Sequence, residues 1–159
     1  MITALLHPTP HTKIMLITSH RDAMVEELGD CLAPYEGLLD LSLFRGEHQE
    51  ISHPTLHKIF TIKDYHSPAG GIPRDYACVI VQDVLDRHLS PVKFLQRIYH
   101  TLLNACEIII VQKKGSMPIS EIEALLDQVD FRAINAMNDL IQGCDVIVAK
   151  KMHMWGNGL

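Results

Sequence analysis

Residues 75–115 read DYACVIVQDVLDRHLSPVKFLQRIYHTLLNACEIIIVQKKG. Tyr76 to Gln82 (YACVIVQ) is almost continuously apolar, the pattern of a strand buried on both faces of a parallel sheet. Ser90-Pro91 predicts a helix start, with serine at the N-cap and proline at the first helical position. The stripe Phe94, Leu95, Ile98 and Leu102 follows at helical spacing. Cys106 to Val111 (CEIIIV) is a second buried strand. Strand, helix and strand in this order make a parallel pair joined by a right-handed crossover.

The same grammar holds on both sides. Lys13 to Thr18 (KIMLIT) reads as a buried strand, Ser19 to Asp22 as a turn, and Met24, Val25, Leu28, Cys31 and Leu32 as the inner face of a helix that ends at Ala33-Pro34. Gly37 to Phe44 (GLLDLSLF) is a second strand and Lys58 to Ile62 (KIFTI) a short third. Between them, residues 45–57 show no helical period. Lys63 to Asp75 (KDYHSPAGGIPRD) is broken by Pro68, Gly70, Gly71 and Pro73. Downstream, Ser120 to Glu123 has the capping-box pattern, with Ile122, Leu125, Leu126 and Val129 turned inward. Phe131 to Met137 and Cys144 to Ala149 read as a closing hairpin around residues 138–143. Strands alternating with helices, then two strands with none between, predict an α/β three-layer Rossmann-like domain. Its sheet is mostly parallel and seven-stranded with an antiparallel C-terminal hairpin, and some helices are shortened or lost.

The chain has 159 residues, 47% of them hydrophobic and 21% charged, enough for one domain with a real core. The expected organisation is a flexible arm over 1–12, a single domain over 13–151 and a flexible tail over 152–159. A net charge of -5, with no Lys/Arg block, argues against a nucleic-acid partner. Apolar runs of strand length argue against a membrane span, and the opening MITALLHPTPHTK lacks the basic start and apolar core of a secretory signal. A cytoplasmic address is the expectation. Cys31, Cys78, Cys106 and Cys144 form no CxxC pair and read as free thiols. His53 and His57 have helical ligand spacing, but Pro54 lies between them and no HExxH occurs, so no metal site is expected. Trp155, with Met152 and Met154, is either a partner anchor or part of a frayed terminus.

The stretch 75–115 resembles the fourth strand, following helix and fifth strand of the class I S-adenosylmethionine-dependent methyltransferases. DFRAINAMNDLIQGCDVIVAKK (130–151) resembles their final antiparallel hairpin, including the closing basic pair Lys150-Lys151. The resemblance runs over residues 13–151. It implies a cofactor site with S-adenosylmethionine as ligand, and places seven residues there: Ser19, His20, Arg21 and Asp22 in the first turn, Asp40 near the second strand's acidic position that binds ribose hydroxyls, Asp64 at the position after the third strand that recognises the adenine amine, and Asp83 just after the fourth strand.

Against that pattern stand three departures. The glycine-rich first turn is replaced by Ser-His-Arg-Asp-Ala, where side chains fill space a ligand needs against bare backbone. Ala77 replaces a usual acidic residue, and Asn104-Ala105-Cys106 replaces a Pro-Gly-Gly-like turn. Two readings of the first turn follow. Ser19 and Asp22 form a capping-box-like pair, or His20 and Arg21 offer charge to an anion. Asp83 and His88 lie over the mouth of any pocket, where general bases often sit, or form a polar loop packed on the next helix. The expected function is a methyltransferase-like protein with lost or altered cofactor binding, acting as a binding or assembly module with a protein partner, a second copy or a small ligand. The alternative is an active methyltransferase on a small molecule. A receiver-like signalling domain is disfavoured by Ser19-His20 and the final hairpin. Catalytic residues are not assigned. The cofactor is none, or S-adenosylmethionine if the chain is active.

Overall fold

In a computed structural model of the chain, residues 2–20, 23–45 and 52–152 are described. Seven strands form one sheet: β1 (Lys13–Thr18), β2 (Leu38–Phe44), β3 (Leu56–Ile62), β4 (Tyr76–Gln82), β5 (Leu102–Lys113), β6 (Arg132–Met137) and β7 (Cys144–Lys150). Their order is β3-β2-β1-β4-β5-β7-β6. The first five strands of that order run parallel, and β7 is antiparallel to both β5 and β6.

Helix α1 (Met24–Leu32) covers one face of the sheet, and α2 (Pro91–Thr101) with α3 (Ile119–Gln128) covers the other. The alternation within each strand divides the core accordingly. Ile14, Leu16, Leu41, Ile80 and Ile109 meet α1, whereas Met15, Ile17, Val79, Val81 and Ile110 pack toward α2 and α3. The central strands are apolar on both sides because helices cover both, which is why their sequences do not alternate with polar residues.

The edge is thinner. No helix lies between β3 and β4, where residues 63–75 run as bends and turns. β3 is accordingly the least buried strand of the parallel set, with Ile59 48% exposed. His53 ties the β2–β3 connection to α1. Its ring sits against Gly29, where an added Cβ would lie 2.5 Å from it, and its Nε2 is 2.9 Å from Asp30.

Several boundaries depart from expectation. β3 begins two residues early, at Leu56. β5 begins at Leu102, so that residue closes the sheet instead of extending α2. α3 starts at Ile119 behind Pro118, and neither it nor α2 receives a side-chain cap bond, so Ser120–Glu123 is not a capping box and Ser90 caps by backbone position alone. The N-terminal arm is packed: residues 2–5 form a 3-10 turn whose Ile2 is fully buried against the α1 face, because an apolar side chain gains burial whatever prolines follow it. In the tail, Met152 is described, while Met154 and Trp155 lie outside the described residues.

Candidate functional site

A sheet of this type places ligands outside the carboxyl ends of its parallel strands, where the strand order reverses. Here that switch point lies between β1 and β4. The turn after β1 is built from hydrogen bonds. Thr18 Oγ1 shares its proton between the carbonyl of His20 at 2.6 Å and Oε1 of Gln82 at 2.9 Å, and accepts from the His20 N–H at 3.2 Å. The Ser19 N–H donates to the carbonyl of Gln82. None of Thr18, Ser19 and His20 is among the residues with positive φ, so the turn through His20 forms without the conformational freedom of glycine. Arg21 and Asp22 lie outside the described residues.

Asp83 is the counterpart across the switch point. Its backbone is left-handed at φ 53°, a region aspartate tolerates better than most residues. Its N–H donates to Val111, its Oδ1 accepts from the Lys113 N–H at 2.8 Å, and its Oδ2 lies 2.7 Å from His20 Nε2. One carboxylate therefore ties together the ends of β1, β4 and β5. Ser19 is different. It is 2% exposed and its hydroxyl has no hydrogen-bond partner among the described residues. The N-cap of α1 is Ala23, which makes no side-chain cap bond, so Ser19 does not cap this helix.

Asp40 is not at this end of the sheet. It is the third residue of β2, four short of the strand's end, and 1% exposed. Its carboxylate accepts from the Tyr76 hydroxyl at 2.6 Å, from His57 Nδ1 at 3.1 Å and from the Lys58 N–H at 3.1 Å. Burial, then the adjoining carboxylate, pushes the Tyr76 hydroxyl far above its ordinary range, so it stays a donor. Nearby, Lys13 and Asp75 pair at 3.0 Å. Asp40 is thus a buried acceptor fastening β2, β3 and β4 toward their amino ends.

β2 ends instead in Phe44, whose ring stacks on Tyr65 with centroids 4.0 Å apart and planes 6° from parallel. The Arg87 guanidinium lies over the Tyr65 ring, 5.9 Å from its centroid. Asp64 is exposed after β3, as expected, but its Oδ1 accepts from the His66 N–H and the Ser67 hydroxyl, an Asx turn that holds its carboxyl below the usual range. His88 is 6% exposed, accepts from the Ser90 N–H at Nδ1 and donates from Nε2 to the Ser67 carbonyl. Both ring nitrogens are used, and burial pushes its pKa down, so it is a neutral structural histidine packed 4.6 Å from Phe94.

Sequence reasoning passed over Gln82 and Gln112. Each closes a run of apolar residues, VIVQ in β4 and IIVQ in β5, and a polar side chain ending a buried strand was the available signal. Gln112 is fully buried, donates to Asp86 and Ser116, and leaves its Oε1 without a partner among the described residues.

No family model matches the sequence, and no curated protein matches it. Solved structures do match in fold. The CurJ carbon methyltransferase superposes with a TM-score of 0.72 at 12% identity, covering 95% of this chain and 51% of its own. A SAM-dependent methyltransferase from Aquifex aeolicus gives 0.71 at 9% identity, covering 93% of this chain and 86% of that one. A chain from the complex between the Haloferax volcanii Trm112 methyltransferase activator and a methyltransferase gives 0.67 at 9% identity, covering 96% and 87%. This chain spans about half the length of the first of these. The fold is that of the class I methyltransferases, as the resemblance of residues 13–151 implied.

Proposed function

We propose that this chain is a methyltransferase-fold protein that does not methylate and serves as a binding module, its nucleoside seat having been rebuilt into structure. The observation that carries this reading is the His20–Asp83 bridge across the switch point. A sulfonium nucleoside needs open main chain there, a free carboxylate at the end of β2 for its ribose, and a slot for its base. The described residues offer little of this. The bridge spans the first requirement, β2 ends in Phe44, not in a carboxylate, and the Phe44–Tyr65 stack fills space at the ends of β2 and β3. Partners that suit a binding module are a small molecule, a second copy or another protein. The fold match to a chain from an activator complex favours a protein partner.

One observation favours the alternative of an active enzyme on a small-molecule substrate. The unpartnered Ser19 hydroxyl lies in the turn before α1, whose first N–H groups receive no side-chain cap from Ala23. Such a helix start attracts a carboxylate.

Thermal-shift and calorimetric titration with S-adenosylmethionine and its demethylated product tests the choice. The expectation is no shift for the wild type, where a tightly bound ligand in hundredfold excess over its Kd would stabilise by about 2.7 kcal/mol. His20→Gly combined with Tyr65→Ala should open the seat and restore weak binding. Saturable binding of either nucleoside to the wild type would overturn the reading.

A further inference from the structure

A cavity of about 420 Å³ lies on the α1 side of the sheet, between the start of α1 and the connection from β6 to β7. Ile2, Met24, Leu140 and Ile141 give it an apolar wall, and Gln82 lies at its sheet end. That volume falls within the range of small-molecule pockets, roughly 300–1,000 Å³. Among the described residues that line it, Glu27 is the only charged one. The Glu27 side chain is half-buried and has no ion-pair or hydrogen-bond partner among the described residues.

We propose that this cavity binds a small primary amine with an apolar body, the ammonium held by Glu27 and the body lying against Ile2, Met24 and Ile141. The charge decides the class. Glu27 is the fourth residue of α1, so the positive end of the helix offsets part of its charge. That end amounts to only about half an elementary charge, and the wall remains negative. A carboxylate or phosphate seated against Glu27 is repelled by it, and a neutral apolar ligand leaves Glu27 desolvated and unpaired. An ammonium corrects both. The assignment deepens the binding-module reading and rests on it, since it supplies the ligand that the rebuilt nucleoside seat no longer holds.

The test is calorimetric titration of the full chain with tryptamine, its neutral isostere tryptophol and the anionic indole-3-acetate, alongside the demethylated nucleoside. Tryptamine should bind saturably at one site and shift the methyl resonances of Ile2 and Ile141. Tryptophol and indole-3-acetate should bind at least about tenfold more weakly, the usual worth of a charge-assisted hydrogen bond. Glu27→Gln should weaken tryptamine by about tenfold and leave tryptophol unchanged. Ile141→Trp, which fills the cavity from a surface connection, should abolish both. No binding of tryptamine to the wild type, or an undiminished affinity in Glu27→Gln, would overturn the assignment. The nucleoside arm reads separately: its binding refutes the non-methylating reading while tryptamine and Glu27→Gln still decide the amine.

Discussion

His20 Nε2 and Asp83 Oδ2, 63 residues apart in sequence, meet at 2.7 Å across the point where the strand order reverses. Their side chains are 43% and 21% exposed, so solvent screens the pair and its own worth is small. Asp83→Asn keeps an acceptor for the Lys113 N–H and tolerates the left-handed backbone, so it should cost at most about 1 kcal/mol. Asp83→Ala also orphans that N–H and strains the backbone, and should cost about 1–2 kcal/mol more. Urea denaturation of the two variants checks the difference.

Tyr76→Phe removes one of three donors to a carboxylate that is 1% exposed. A hydrogen bond to a buried charge is worth about 1.5–3 kcal/mol, and the loss should appear in full as a lower urea midpoint with an unchanged slope. Because Asp40 sits at the amino ends of the strands, the variant should leave any ligand bound at the carboxyl ends unaffected. A loss of ligand affinity without a loss of stability would return Asp40 to a binding role.

His88 sets a pH dependence. Burial lowers its folded pKa below the unfolded value of about 6.5. The unfolded chain then binds the proton first as pH falls, so this residue makes stability decline on acidification from about pH 6.5 down to its folded pKa, and adds nothing further below that. His88→Gln should be less stable than wild type at neutral pH, and the gap should narrow as pH falls below about 6.5. Urea melts across that range decide it; a gap that widens on acidification would mean the folded state prefers the charged ring.

Gly29 is an internal glycine in α1, where alanine ordinarily stabilises by about 1 kcal/mol. An added Cβ would approach the His53 ring to 2.5 Å, and that ring is fixed by Asp30 and Thr55. Gly29→Ala should therefore destabilise, while the same change in a His53→Ala background should stabilise. The sign reversal in a double-mutant cycle is the measurement.

What was legible in the sequence follows from which contacts are local. Tyr76–Gln82 and Lys13–Thr18 were placed to the residue because an unbroken apolar run admits few alternatives. The closing hairpin followed from two strands with no helical stretch between them. For Asp40, residue type tells that a carboxylate is present, while its depth along the strand and its three donors are set by β3 and β4. Leu102 continued a helical stripe in sequence, yet the sheet claimed it. Ile2 was missed because prolines at 8 and 10 speak only about their own neighbourhood. No spacing rule joins His20 to Asp83 or Phe44 to Tyr65, since those pairs exist only once the sheet order is fixed.

Ser19 separates the two functional readings most directly. Its hydroxyl is buried without a partner, an arrangement that costs free energy unless something outside the described chain completes it. If the turn is purely structural, Ser19→Ala removes an unsatisfied group and should be neutral or stabilise by up to about 1 kcal/mol. If a ligand's carboxylate or amine meets this hydroxyl, the same variant keeps its stability and loses affinity by about tenfold or more, the worth of a hydrogen bond to a charged group. Thermal melts with and without the demethylated nucleoside read both quantities on one sample. The non-methylating reading expects a raised or unchanged Tm and no ligand effect in either protein, because the closed switch point leaves Ser19 nothing to bind.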